Sequence, residues 1–339
     1  MKKKTILSVL AILLIAGGFI CWKLFGPAVS APEKKYFYIH TGDSYETIKT
    51  NLAAEKIING EFWFNLVAKK LDYPKMVKAG RYEIKNSMSI FNLVRMLRAG
   101  NQSPVNLVIT KLRTKEELAK KIAANFECDS LSMISFLNNE DSLKKYNLDS
   151  NTIMTAVIPN TYSILWNTAP AKIFKKLYND QQKFWNDERK QKAAALNLTP
   201  QQVYTMASIV EEETVMDADR GNVASVYINR LRKGQRLEAD PTIKFALRNF
   251  ALQRIRDSHK QAAANSPYNT YFNAGLPPGP ICTPSVKSID AVLNAPSTNY
   301  IFFVAKPDWS RLSNFTDDYE VHKINARNYQ HFLDSVNIK

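Results

Sequence analysis

Apolar and polar positions follow several different periods along this chain, and each change of period marks an element. Residues 6–22 are apolar almost throughout, relieved only by small or weakly polar residues such as Ser8, Gly17 and Gly18. Lys2, Lys3 and Lys4 precede the run and Lys23 closes it, with Leu24 and Phe25 beyond a lysine that can snorkel. Length and flanks predict an uncleaved single-pass membrane helix over residues 5–25, with residues 1–4 as a basic cytoplasmic tip and the rest outside the cytoplasm. A cleaved signal peptide needs small residues near the end of the run, where Phe19, Ile20, Cys21 and Trp22 stand. Residues 26–35, with Pro27 and Pro32, read as a linker.

From Tyr36 the pattern becomes that of a small module. Residues 36–39 are strand-like, and Thr41, Gly42 and Asp43 make a turn. Ser44 and Glu46 then open a helix carrying Ile48 and Leu52. A second helix is expected at 61–70 and a strand at 80–84. A third helix at 89–99 places Leu93, Val94 and Leu97 on one face and stops at Gly100. Beyond it, a strand at 105–109 leads to Thr114 and Glu117, spaced as a helix-capping pair. Residues 115–195 read as mainly helical, interrupted at 156–162, where Pro159 forbids a helix interior. After Gly234 the chain is richer in Pro, Gly and Asn, with a strand expected at 300–304 and a closing helix near 324–336. The pattern as a whole predicts the α+β class with helices predominating.

One helix stands out for its chemistry. Thr199, Pro200 and Gln202 supply a capping hydroxyl, a proline for the first turn and a reciprocal amide. The helix they open runs to about residue 214. Val203, Met206, Ala207, Ile209 and Val210 define its apolar face, and at 100° per residue Glu213 falls about 35° from the centre of that face. Glu211 and Glu212 fall well away from it and read as solvated or salt-bridged. A carboxylate facing apolar surroundings is harder to ionise, so Glu213 is the one of three adjacent glutamates suited to carry a proton near neutral pH. A second helix at 219–233 follows, stopped by Gly234. The polar segment from Arg236 to Thr242, including Glu238 and Asp240, reads as a ligand-contacting loop. Tyrosines and amides at 268–271 and the Pro- and Gly-rich loop at 275–281 suit the wall of a sugar groove, and equally a rigid connection packed on the core.

Composition changes this picture little. The net charge is +15 and is spread along the chain without a dense basic run, which favours anionic surfaces in general and names no partner. A nucleic-acid role needs a binding module, and neither zinc-ligand spacing nor an aromatic ribonucleoprotein signature is present. Three cysteines occur, one of them in the apolar run, so Cys128 and Cys282 are expected to be ordinary thiols.

These blocks, in this order, resemble the YceG-like family of endolytic murein transglycosylases. The resemblance rests on residues 206–214, 223–231, 236–242, 268–271 and 275–281, with Ile158, Pro159, Asn160, Thr161 and Tyr162 as a further block. It implies a LysM-like βααβ module at 36–103 and a mixed α+β catalytic domain at 104–339. It assigns the catalytic role to Glu213 and groove positions to Asn229, Glu238, Asp240, Thr242, Tyr268 and Asn269. Where the family usually has a histidine two residues before a phenylalanine, this chain has Ser313 before Phe315; His322 matches a later family histidine.

The resemblance implies an enzyme of the inner membrane with its catalytic domain on the extracytoplasmic side. Its chemistry is cleavage between N-acetylmuramic acid and N-acetylglucosamine to give 1,6-anhydromuramyl ends, with neither metal nor organic cofactor. Its partners are peptidoglycan glycan strands and the membrane, with peptidoglycan synthases alongside and no nucleic acid. Two other readings compete: a hydrolytic muramidase using Glu238 or Asp240 as second carboxylate, and a non-catalytic wall-binding scaffold.

Overall fold

The computed structural model describes residues 2–335 and divides the chain into two compact units. The first unit is the chain up to Leu107 together with Ala123–Cys128 and Ser163–Ala169. Two later segments thus return to the first unit.

The first unit begins with helix α1 (Lys2–Phe25), long and apolar enough to cross a membrane over Lys3–Phe25. Most of its large side chains are exposed on every side, which is compatible with a single-pass membrane anchor. Strand β1 (Tyr36–Ile39), helices α2 (Tyr45–Ala54) and α3 (Phe62–Lys70), strand β2 (Gly80–Glu83) and helix α4 (Ile90–Ala99) follow in the expected order. β1 pairs antiparallel with β2, Phe37 opposite Tyr82, and the alternating pattern buries Phe37, Ile39 and Tyr82. Ser44 and Ser89 cap α2 and α4, each accepting a bond from the amide three residues on, and Gly100 ends α4 in the left-handed conformation at φ 75°. Residues 28–30, within the stretch expected to be linker, instead pack on this module. Val29 is buried, bridges Ile58 and bonds the backbone of Ser87 and Met88. The returning segments contribute Glu127, which accepts from both the amide and the hydroxyl of Thr41, and Trp166, packed against Tyr38 and His40.

Strand β3 (Val105–Ile109) pairs with β4 (Asn160–Ile164). Helices α5 (Lys115–Ala123), α6 (Ser130–Leu137), α7 (Glu140–Lys144), α8 (Pro170–Phe184) and α9 (Asp187–Ala195) make up the expected helical stretch. The core of the second unit is α10 (Pro200–Glu213), with the Thr199–Gln202 capping box formed in both directions. Every residue from Val203 to Val210 is buried, so α10 is sheathed all round where the sequence pattern suggested a single apolar face. Its cover comes from α11 (Asp217–Arg232), α12 (Asp240–Ala246) and, after the short α13 (Asp257–Ala262), α14 (Val286–Leu293). The segment expected to be a loop through Thr242 becomes helical at Asp240, because Pro241 sits in the first turn, where a proline is tolerated and its φ is already helical. A hairpin of β5 (Phe302–Ala305) and β6 (Ser313–Thr316) and the helix α15 (Tyr319–Ser335) complete the unit. The expected end of that last helix at Val336 lies outside the described residues.

Candidate active site

The site is built at the C-terminal end of α10. Thr214 adopts an extended backbone, φ −142° and ψ 139°, which makes Glu213 the last helical residue and places three successive carboxylates on the final turn. Their surroundings separate them. Glu211 accepts from the hydroxyls of Ser285 and Ser288, both at 2.6 Å, and so ties α10 to the start of α14. Glu212 forms ion pairs with Lys111 at 3.0 Å and Arg113 at 3.1 Å. Glu213 has no ion pair among the described residues; instead its Oε1 accepts from the hydroxyl of Tyr227 at 2.6 Å.

These partners set opposite acidities. For Glu212, burial disfavours ionisation, but bonds from Lys111 and Arg113 outweigh it and hold the carboxyl below its ordinary value. For Glu213, burial is the dominant influence, the nearby Asp240 charge adds to it, and the Tyr227 hydroxyl and Lys244 only partly offset it. Its pKa is pushed up to about 7. Tyr227, buried on α11, has its own hydroxyl pushed well upward by burial and by the Glu213 charge, so it remains a hydrogen-bond donor at neutral pH.

Glu213 opens into a cleft of about 280 Å³ whose wall mixes aromatic, aliphatic and charged groups. Phe302, Phe303 and Leu237 form apolar surface. Arg230, Glu238, Asp240, Tyr271 and His322 bring polar groups. Asp240, at the first position of α12, accepts from the Tyr271 hydroxyl at 2.6 Å, so the cleft holds two tyrosine–carboxylate pairs. Arg230 acts as a clamp: Nε donates to the Ile301 carbonyl at 2.9 Å, Nη1 to the Leu237 carbonyl at 2.8 Å, and both Nη1 and Nη2 to Glu238 Oε2 at 3.0 Å. Glu238 is held with φ at 55°, in the left-handed region a side chain rarely adopts, which costs about 1 kcal/mol or more. The Arg230 clamp and the amide bond from Glu238 to the Thr270 carbonyl keep it there. His322 stacks on Phe302 at 4.9 Å, and burial followed by the Arg230 charge lowers its pKa.

The structure brings Glu213, Glu238 and Asp240 to one cleft; the other four residues assigned to the groove do not line it. Asn229 donates to the carbonyls of Thr298 and Tyr300 and fixes the approach to β5. Thr242 and Asn269 are fully buried. The first bonds Ala239 and Thr270; the second holds the carbonyls of Lys260 and Ala263 while accepting the amide of Tyr271, and so aims Tyr271 at Asp240. Tyr268 packs on Phe245 and lines a separate, smaller pocket with Arg113 and Arg248. In the Pro- and Gly-rich loop, Gly279 permits a close backbone approach: a Cβ there would stand 2.1 Å from the Asn151 carbonyl oxygen. Ser313 donates its amide to the buried Asp219. Cys282 is a buried thiol, and neither it nor Cys128 is in a disulfide.

The residues that sequence reasoning passed over are Tyr227, Arg230 and Tyr271 in their site roles. Tyr227 had the spacing of a core residue on α11. The available signal was that a buried tyrosine hydroxyl needs a partner, and the inward carboxylate of Glu213 is one.

Comparison with known proteins places this geometry in context. The model of the YceG-like family matches residues 37–328. The chain is 28% identical over 311 residues to the endolytic murein transglycosylase of Bacillus subtilis, covering 87% of this chain and 85% of that protein. It is 27% identical to the endolytic murein transglycosylase of Streptococcus pneumoniae strain R6, covering 86% of this chain but 59% of the longer relative. A YceG-like protein of Listeria monocytogenes, known from a crystal structure, superposes with a TM-score of 0.56 at 25% identity, covering 86% of this chain and 99% of that one.

Proposed function

We propose a function from one premise: the chain belongs to the YceG-like family. It acts on peptidoglycan as an endolytic murein transglycosylase, cutting within glycan strands, nascent ones included, and so limiting their length. The observation that carries this reading is the carboxyl of Glu213, raised to about 7 in a cleft with aromatic and aliphatic walls and without an ion pair among the described residues. Such a group is protonated often enough at neutral pH to act as an acid, and basic enough afterwards to act as a base.

The reaction balances with this one residue. Glu213 gives its proton to the oxygen linking N-acetylmuramic acid to N-acetylglucosamine, and the bond from the muramyl C1 to that oxygen breaks. The muramyl C6 hydroxyl attacks C1, and its proton passes to the Glu213 carboxylate. No water is consumed, and the new end is a 1,6-anhydro sugar. The Tyr227 bond occupies Oε1 and leaves Oε2 to carry the transferred proton. Glu238 and Asp240 line the same cleft, which is what favours the hydrolytic alternative, but Arg230 and Tyr271 already engage them. They serve better as binding and field-setting groups.

We further read α1 as a single-pass anchor that places both units on the extracytoplasmic side, and the β1–α2–α3–β2 module as LysM-like and wall-binding. Action beside peptidoglycan synthases follows from a substrate still being made. The test is the mass of strands cut by the detergent-solubilised full chain. A 1,6-anhydro product with no added water is expected, and Glu213→Gln, which keeps size and polarity, is expected to abolish it. A product heavier by one water would establish hydrolysis. Binding of strands without cutting by the unaltered protein would establish the scaffold reading.

A further inference from the structure

The first unit carries an apolar feature that the catalytic site does not use. Helix α3 buries Phe64, Val67 and Ala68, yet its other face presents Phe62 at 69% exposure and Leu66 at 40%, with Trp63 partly exposed at its edge. A soluble surface seldom gathers large apolar side chains on one short helix. The position of this face relative to α1 explains it. The ring of Trp63 lies 6.3 Å from that of Phe19, and Phe91 of α4 lies 5.1 Å from Phe25. The end of α1 therefore continues directly into the module: Leu24, Ala28 and Phe91 pack against the module core.

The depth follows from helix geometry. A hydrocarbon layer of about 30 Å takes roughly 20 helical residues, the stretch from about Ile6 to Phe25. Phe19 precedes the end of that stretch by six residues, about 9 Å at 1.5 Å per residue. A side chain packed against Phe19 stands in the outer boundary of the bilayer, the layer where tryptophan and phenylalanine are favoured. Beside it is a cavity of about 430 Å³ whose lining includes Trp22, Trp63 and Ile90 as well as Lys23, Asn59 and Ser87. That combination of an ammonium, neutral hydrogen-bonding groups and aromatic walls matches a phospholipid headgroup with the start of its chains.

We infer that the first unit is seated in the outer face of the bilayer through Phe62, Trp63 and Leu66, with a phospholipid headgroup in the adjoining cavity. The membrane is touched by the module as well as spanned by α1. The inference rests on α1 crossing the bilayer. Because residues 28–30 pack on the module and leave no free tether, the seating holds the whole first unit at the membrane surface.

The experiment uses the full chain in vesicles of phosphatidylethanolamine and phosphatidylglycerol, with bromine on the acyl chains either near the headgroup or near the methyl end. The emission of Trp63 is the difference between the unaltered protein and Trp63→Phe. Flotation of the chain with the vesicles, resistant to alkaline carbonate, establishes that α1 is inserted; its failure would sink the anchor itself. With flotation intact, the expected result is strong quenching of Trp63 by headgroup-proximal bromine, weaker quenching by deep bromine, and protection from aqueous iodide. Phe62→Glu combined with Leu66→Glu is expected to weaken the lipid quenching while flotation persists. Quenching by iodide alone would place the face in water and overturn the inference. Protection from both quenchers would point to a second copy or another protein on the face and would overturn it too. Undiminished lipid quenching in the double variant would mean that α1 alone holds Trp63, which also overturns the seating.

Discussion

Glu212 and Glu213 are neighbours on one helical turn, both are withdrawn from water, and their acidities move in opposite directions. Glu212 faces Lys111 and Arg113 and is held ionised; Glu213 faces Tyr227 and the charge of Asp240 and is held toward its neutral form. Burial is the largest single influence on both. Burial alone, then, does not make a general acid. The charge of the partners decides whether the carboxyl is trapped as an anion or keeps its proton. A neutral donor such as Tyr227 orients the group without supplying the positive charge that would ionise it.

The largest expected effect tests the two residues for chemistry. Glu213→Gln should lower strand cleavage by roughly a hundred- to ten-thousand-fold, the usual weight of one general acid. Glu212→Gln, measured on the same strands, should retain activity within several-fold, since that carboxylate lies on the cation side. Comparable losses for both would collapse the distinction.

Stability gives the second contrast, with opposite signs. The folded pKa of Glu212 lies below the ordinary value of 4.5, so its ionisation stabilises the fold above that pH, and the contribution is lost as pH falls through the folded pKa. Glu212→Gln leaves two cations without their anion and should cost about 1–2 kcal/mol near pH 7, between the values for exposed and for fully buried pairs because Lys111 is 39% exposed. The cost should fade in acid, and denaturant melts at several pH values read it directly.

Glu213 works the other way. Its folded pKa of about 7 exceeds the ordinary 4.5, so the folded state holds the proton more tightly, and stability falls as pH rises between those values. Glu213→Gln removes that penalty and should stabilise the protein by about 3 kcal/mol at pH 8 while nearly matching the unaltered protein near pH 4.5. An inactive variant more stable than its parent, by a margin that grows from about pH 4.5 and levels off above about pH 7, is the signature of an acid kept protonated for function. Equal melts at both pH values would argue against the raised pKa.

This pair also shows where sequence reading succeeds and where it stops. The capping box at Thr199, the course of α10 and the inward side of Glu213 are local properties, set by residues within one or two turns, and they were legible. The environment of Glu213 was not. Tyr227 arrives from the next helix, Asp240 from α12 and Phe302 from the hairpin, and only packing brings them together. The same limit explains why Asn229, Thr242 and Asn269, polar residues within blocks that resemble the family, hold backbone carbonyls and loops rather than lining the cleft. A polar residue in such a block shows that something needs its hydrogen bonds, and in these three the bonds formed are to the protein itself.

The finest test removes only the neutral donor. Tyr227→Phe keeps the ring between α10 and β5, where it meets Phe303 at 6.0 Å, and deletes the hydroxyl 2.6 Å from Glu213. That bond favours the ionised carboxyl, so without it burial and the Asp240 charge act with less opposition, and the pKa of Glu213 should rise above about 7. Because the first step requires the protonated form, kcat/KM falls as pH rises through this value, and the variant's alkaline limb should move upward, by up to about one unit for one lost hydrogen bond of roughly 1 kcal/mol. The plateau rate should fall only a few-fold, through poorer orientation of the carboxyl. The shift and the loss have different origins, and a pH profile separates them. A limb that moved downward would mean that the tyrosine had been holding the proton on Glu213 rather than easing it off, and the contrast with Glu212 would then rest on Asp240 alone.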